Sequence, residues 1–321
     1  MTGYILRRLL QSVTVLFGVS IICFAMFQYL GDPVLALVGI DANEAQMKEA
    51  ARLLGLDRPI WEQYVHFIFN AVQGDFGFSY TTRTPALKVV IERLPATLEL
   101  AVTAMAVATL GGLIVGALAG VRPRAVASRL AMFATLWGIS LPTFLIGVVS
   151  IYVFAIVLGW LPPFGRGEVI NIGPWRSGLL TVSGWWHILL PALTLALYQL
   201  SMSTRVMRAE MMNVMAEEYI RTARARGLSL GQVVVRHALK NALIPFVTIS
   251  GLQLGQLIAF AIVTETVFQW PGMGKLLLMA INENDQPVII TYIMVIALIF
   301  VLINLLVDLV YTFLNPRIAY D

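Results

Sequence analysis

Six stretches of the chain are almost free of charge: 9–30, 98–121, 130–158, 185–206, 243–264 and 288–314. The first, Leu9 to Leu30, holds no Asp, Glu, Lys or Arg. At about 1.5 Å per residue it reaches about 33 Å, enough to cross a hydrocarbon core. Arg7 and Arg8 precede it as in a signal peptide. The run is too long for a signal h-region and no small-x-small cleavage site follows, so it is predicted to stay as an anchor. The third run is long for one straight span and has Pro142 at its middle. It is predicted to be kinked, steeply tilted or broken in two. The second carries Gly112, Gly116 and Gly120 at four-residue spacing, a small-residue face that admits either another helix of this chain or a second subunit.

Composition then excludes a water-soluble fold. Hydrophobic residues make up 59% of the chain and charged ones 12%, about half the share a soluble domain uses to cover its surface. The charges also set the orientation. One set of loops holds Arg7, Arg8, Arg122, Arg124, Arg129, the basic residues of 205–240 and Arg317, whereas the opposite short loops hold only Arg166, Arg176 and Lys275. Discounting the long 31–97 segment, the bias places both termini in the cytoplasm, which six spans satisfy. The single cysteine, Cys23, lies in the first apolar run, so no intrachain disulfide can form.

Residues 31–97 read as a structured external region. Asn43 is positioned to cap a helix over 44–54, with Met47, Ala50, Ala51 and Leu54 on one face and Gly55 to end it. The aromatic-rich Trp61–Val72 stretch is suited to lie flat at the membrane interface. Thr84 precedes a further helix from Pro85, with Leu87, Val90, Ile91 and Leu94 on one side. These helices suit either docking of a partner or shielding of the bundle.

The most informative polar segment is 216–245, AEEYIRTARARGLSLGQVVVRHALKNALIP. It predicts a helix to about Arg226, a left-handed stop at Gly227 and a capping box, Ser229 to Gln232, opening a second helix. The product is a short, basic helix–glycine–helix hairpin suited to a groove on a soluble partner.

This hairpin resembles the EAA loop of ABC importer permeases, roughly E-A-A-x3-G-x9-I-x-L-P. Ala223 stands at the second alanine, Gly227 at the glycine and Leu239 at the leucine. Arg221, Thr222, His237 and Lys240 depart from the general pattern. These departures resemble instead the variant of the dipeptide/oligopeptide permease branch. The segments YILRRLLQSVTVLFGVS (4–20), LGLDRPIWEQY (54–64), GDFGFS (74–79), ERLPATLELA (92–101), ETVFQWPGMGKLLLMAI (265–281) and NLLVDLVYTFLNPRI (304–318) are similar to that branch in the same order.

The resemblance implies an all-α integral membrane protein of six transmembrane helices with the type I importer permease fold. The implied organisation is a first helix in 1–30, an external segment 31–97, a five-helix core 98–314 that includes a coupling hairpin 207–242, and a cytoplasmic tail 315–321. Implied partners are a second homologous permease, two cytoplasmic ATPases that hold ATP and magnesium, a periplasmic or lipid-anchored substrate-binding protein, and membrane lipid, with no nucleic acid. This chain itself is expected to bind no cofactor and catalyse nothing, while forming half of a pathway for di- or oligopeptides, glutathione or a nickel chelate in a bacterial inner membrane. Glu218, Arg221, Thr222, Ala223, Gly227, Leu228, His237 and Leu239 are the implied coupling residues.

Other positions carry weaker readings. Thr248, Ser250, Gln253 and Gln256 give the fifth span a polar content that suits a pathway lining or interhelical hydrogen bonds. Trp270, Pro271, Gly272 and Gly274 turn the chain beside an outer mouth. The GMGK within this turn is not a phosphate loop, since Gln269 replaces the first glycine and Leu276 the Ser/Thr. Asn304 and Asp308, four apart in the last span, suit structural pairing or substrate passage. Met202, Met207, Met211, Met212 and Met215 suit packing or an adaptable ATPase contact. His66, His187 and His237 are too dispersed for a shared metal. An ion-coupled secondary transporter is the competing class, but no inverted repeat with paired broken helices is visible.

Overall fold

The computed structural model describes residues 2–29, 34, 38, 42–53 and 55–314. The expected 315–321 tail lies outside them. Helices account for nearly all of the regular structure, and the chain divides into two units, Met1–Pro95 with Gly272–Leu305, and Ala96–Pro271 with Leu306–Asp321.

The first unit opens with α1 (Thr2–Tyr29). α2 (Glu44–Leu53) starts where the Asn43 side chain accepts from Gln46 N–H (2.9 Å) and the Gln46 side chain accepts from Asn43 N–H (3.0 Å). It ends at Gly55, whose φ of +71° lets Leu56 N–H bond back to the Ala51 carbonyl. α3 (Ile60–Val72) packs on α1: Tyr64 sets its ring edge against Phe17 and Phe24 and meets Ser20 Oγ at 2.8 Å, while Phe67 stacks near Phe24. α11 (Met273–Asn282) and α12 (Gln286–Leu314) supply the remaining helices. Ala86, Val90, Met273, Ala280, Val288, Ile289 and Tyr292 form the unit's core. At its edge the Asp285 carboxylate takes hydrogen bonds from Ser79 Oγ (2.5 Å) and from the Tyr80 and Thr81 amides (3.1 and 3.3 Å). That clasp holds the 79–81 loop to the α11–α12 corner.

α4 (Ala86–Val121) runs unbroken for 36 residues through Pro95, so the expected external helix from Pro85 and the second span are one element. In the second unit it is followed by α5 (Val126–Ser140) and α6 (Thr143–Ser150), which continues as a π-helical stretch, Ile151–Val157. α5 and α6 meet at 109°. Leu141 is extended (φ −89°, ψ 135°), the conformation favoured for a residue before proline. The third apolar run is therefore broken at Pro142 rather than kinked. A small hairpin, β1 (Ile170–Ile172) with β2 (Trp175–Ser177), leads into α7 (Val182–Met215), capped by Thr181 Oγ1 accepting from Gly184 N–H.

The glycine face of α4 packs within the chain. A Cβ built at Gly116 would lie 2.6 Å from the Thr204 carbonyl oxygen, and at Gly120 2.5 Å from Met211 Cβ, both on α7. On an adjacent face of α7, a Cβ at Gly138 of α5 would collide with Ser201 Oγ. α7 is thus the central post of this unit, gripped by small residues on two sides.

By length and hydropathy, Arg7–Tyr29, Ala86–Val121 and Gln286–Asp308 qualify as spans, and the bent α5–α6 pair makes a fourth if counted as one. α7, with 34 residues, is long enough but more polar, and α10 (Leu239–Val267) has 29 residues, of which Gln253–Val267 form an apolar stretch. Helix length therefore supports a multi-pass bundle without fixing six crossings.

Candidate functional site

The hairpin forms as its sequence specifies. α8 (Glu218–Ala225) has Glu218 in its first turn and Arg224 in its last, each favourable to the helix dipole. Arg226 closes the helix and Gly227 adopts φ +80°, with its N–H on the Arg224 carbonyl (2.9 Å). Ser229 and Gln232 make the reciprocal capping box that opens α9 (Leu230–Val233). A π-helical turn, Val234–Ala238, then carries the chain directly into α10. α9, the π turn and α10 are consequently one continuous rod.

One side of the hairpin is sealed. Ile220, Ala223, Val233 and Ala238 are buried with Met207, Met211, Ala242 and Phe246 in a single apolar cluster, against which Leu228 and Leu239 pack. Asn241 Nδ2 donates to Tyr219 Oη at 2.6 Å and pins α8 to the start of α10. The other side is open: Glu218, Arg221, Thr222, Arg224 and Gly227 are exposed, and His237 is half-buried on the π turn. Arg221 pairs with Glu218 at 2.7 Å, both in solvent, where such a pair contributes under about 1 kcal/mol. Apart from the half-buried His237, the residues expected to couple thus divide. Ala223, Leu228 and Leu239 hold the hairpin to its base, and Glu218, Arg221, Thr222 and Gly227 present a surface. Met207 and Met211 are core, whereas Met212 is exposed.

The fifth-span residues also divide. Gln253 is buried and accepts from Ser203 Oγ (3.3 Å), while Gln199 Nε2 donates to its carbonyl (3.4 Å). Ser250 is buried and Gln256 exposed. The side chain of Thr248 lies outside what is described. Gln253 therefore makes an interhelical bond between α7 and α10, and Gln256 offers a free amide. Asn304 bonds back to the Phe300 carbonyl of its own helix (3.0 Å). Among the described residues no cluster of His, Cys, Asp or Glu could hold a metal.

Trp270 is buried, with Nε1 on the Ala96 carbonyl (2.9 Å) and the Arg166 guanidinium 5.9 Å above its ring. Pro271 is half-buried; Gly272 and Gly274 are buried. Trp270 thus anchors a network that sequence reasoning missed. Glu99, 5% exposed, accepts from Arg166 Nη2 (2.6 Å), Gly178 N–H (3.2 Å) and Trp175 Nε1 (3.3 Å). Arg166 also donates to the Arg176 carbonyl (2.6 Å), and Glu265, fully buried, accepts from Thr97 Oγ1 (2.6 Å). The signal was present: two carboxylates, Glu99 and Glu265, at the ends of apolar runs.

The chain matches the family model described as binding-protein-dependent transport system inner membrane component over residues 112–320. The model for the corresponding N-terminal region matches residues 1–101. It is 40% identical over 321 residues, the full length of both chains, to the glutathione transport system permease protein GsiC of Escherichia coli (strain K12), and equally to that of Shigella dysenteriae serotype 1 (strain Sd197). Its fold is similar to a chain of the MetNI methionine ABC transporter in inward-facing conformations, with TM-score 0.55, 17% identity, and coverage of 71% of this chain and 96% of that one.

Proposed function

The chain belongs to the inner-membrane components of binding-protein-dependent transport systems and is an ABC importer permease; from that premise we propose how it is driven and what it carries. Its exposed hairpin face, Glu218, Arg221, Thr222, Arg224 and Gly227, seats in a cytoplasmic ATPase subunit. One such subunit serves this chain and another serves a second, homologous permease, with ATP and magnesium held on the ATPases. Both termini face the cytoplasm, and a periplasmic or lipid-anchored binding protein delivers solute to the opposite side. The two permeases form one pathway by alternating access.

The observation that carries this reading is the unbroken connection from α9 through the π turn into α10. A docked partner that tilts α8 moves the base of α10 with it, because Ile220, Ala223, Val233 and Ala238 share one cluster. The solute is a short peptide. Glutathione, itself a tripeptide, is the first one to test, given the full-length likeness to glutathione permeases.

The test is purification of the tagged chain, co-expressed with its neighbouring genes, in mild detergent. Two ATPases, a second permease and ATP hydrolysis stimulated by the binding protein are expected, with glutathione competing for the binding protein. A chain that purified alone and moved solute on an ion gradient would overturn the reading.

A further inference from the structure

α3 is a three-sided helix. Tyr64 and Phe67 face α1. Glu62, His66, Asn70 and Gln73 line a second, polar side. The third side is apolar and open, with Trp61 64%, Val65 60%, Phe69 66% and Val72 82% exposed. So large a contiguous apolar stripe marks a contact surface.

The depth of α3 identifies what lies there. α1 carries the charge-free span after Arg8, and a hydrocarbon core of about 30 Å takes up about 20 residues of helix, ending near position 28. Tyr64 and Phe67 meet α1 at Phe17, Ser20 and Phe24. Those positions lie inside that limit, the shallowest of them by about 6 Å. The residues Leu10, Val13, Phe17 and Ile21 of α1 are exposed as well, and its span is only 11% buried. An apolar surface at that level, beside a helix that is itself apolar and open, is one that lipid suits.

We propose that α3 is a membrane-inserted interfacial helix, with its Trp61–Val65–Phe69–Val72 face in the acyl chains of the leaflet reached by the Tyr29 end of α1 and its Glu62–His66–Asn70 side toward the headgroups. The segment between the first two spans is then held down by lipid as well as by protein. Trp61, on the first turn, sits where interfacial tryptophans are favoured. Inserting the helix removes its apolar stripe from water, and the polar strip needs no partner because headgroups and water reach it. This inference rests on α1 spanning the membrane and on none of the coupling or substrate assignments.

The test is site-directed nitroxide labelling of the full chain in phosphatidylethanolamine–phosphatidylglycerol vesicles. Cys23→Ala supplies the background, with single cysteines at Val65, Phe69, His66, Asn70 and, as a lipid-facing reference, Val13. Oxygen collisions at Val65→Cys and Phe69→Cys should exceed those of a water-soluble nickel chelate, as at Val13→Cys. The order should reverse at His66→Cys and Asn70→Cys. Two adjacent apolar positions keep the result readable if one variant fails to fold. Nickel-chelate access at Val65 and Phe69 equal to that at His66 would overturn insertion. An immobilised label reached by neither collider would replace lipid with a protein partner.

Discussion

At the scale of single residues, the Glu99 network is where one side chain determines most. A carboxylate that is 5% exposed is tolerable because three donors reach it, one of them the Arg166 guanidinium. Glu99→Gln keeps the shape but leaves Arg166 buried without its counter-charge. The expected cost is about 3–5 kcal/mol, read as a large drop in thermal midpoint in detergent. A Glu99→Gln/Arg166→Met double variant should recover part of the loss, since removing both charges is cheaper than stranding one. Simple addition of the two single losses would show that the pair is not coupled. The sequence placed Arg166 only as one charge in an outer loop, because a 67-residue separation hides the pairing. By contrast, the Asn43 box, the Gly55 stop and the Ser229 box were legible, since each is closed by residues within five positions of one another.

At the scale of elements, the α4–α7 contact shows what a spacing pattern can and cannot tell. Glycines every four residues announce a close helix approach but not its partner; the structure places α7 there. Gly120→Ala sets a methyl 2.5 Å from Met211 Cβ and 2.8 Å from the Arg208 carbonyl, atoms fixed to backbone. The expected destabilisation is about 1–3 kcal/mol. Gly18→Ala on α1, where a Cβ meets nothing within 4 Å, should instead be neutral or stabilising by up to about 1 kcal/mol. Thermal unfolding of the two variants side by side checks the contrast, and equal behaviour would remove the packing argument. The break at Pro142 had the same partial legibility. Proline alone does not decide this, since α4 continues through Pro95; whether the chain continues, bends gently or turns through 109° depends on what the second half packs against. Here Gly147 lets α6 approach Val267 and Phe268.

At the scale of the whole molecule, the question is how a cytoplasmic event reaches the membrane, and Gly227 is the point to test. It is exposed, its φ is +80°, and a Cβ there would touch nothing within 4 Å. Within this chain a substitution therefore acts through backbone strain, without a steric clash. For an L-residue that strain is about 1–2 kcal/mol, and a β-branched residue tolerates it least. Since about 1.4 kcal/mol is a tenfold population shift, Gly227→Val should lower solute uptake per ATP hydrolysed by about tenfold. The complex should still assemble, because the apolar base of the hairpin is untouched. Gly227→Asn is the discriminating control, since asparagine enters the left-handed region readily. It should retain most of the coupling despite its added bulk. Uptake and ATPase activity measured together in proteoliposomes separate the cases. If valine and asparagine fail alike, bulk at the docking face matters and not the turn; if both transport normally, motion does not pass through this hairpin.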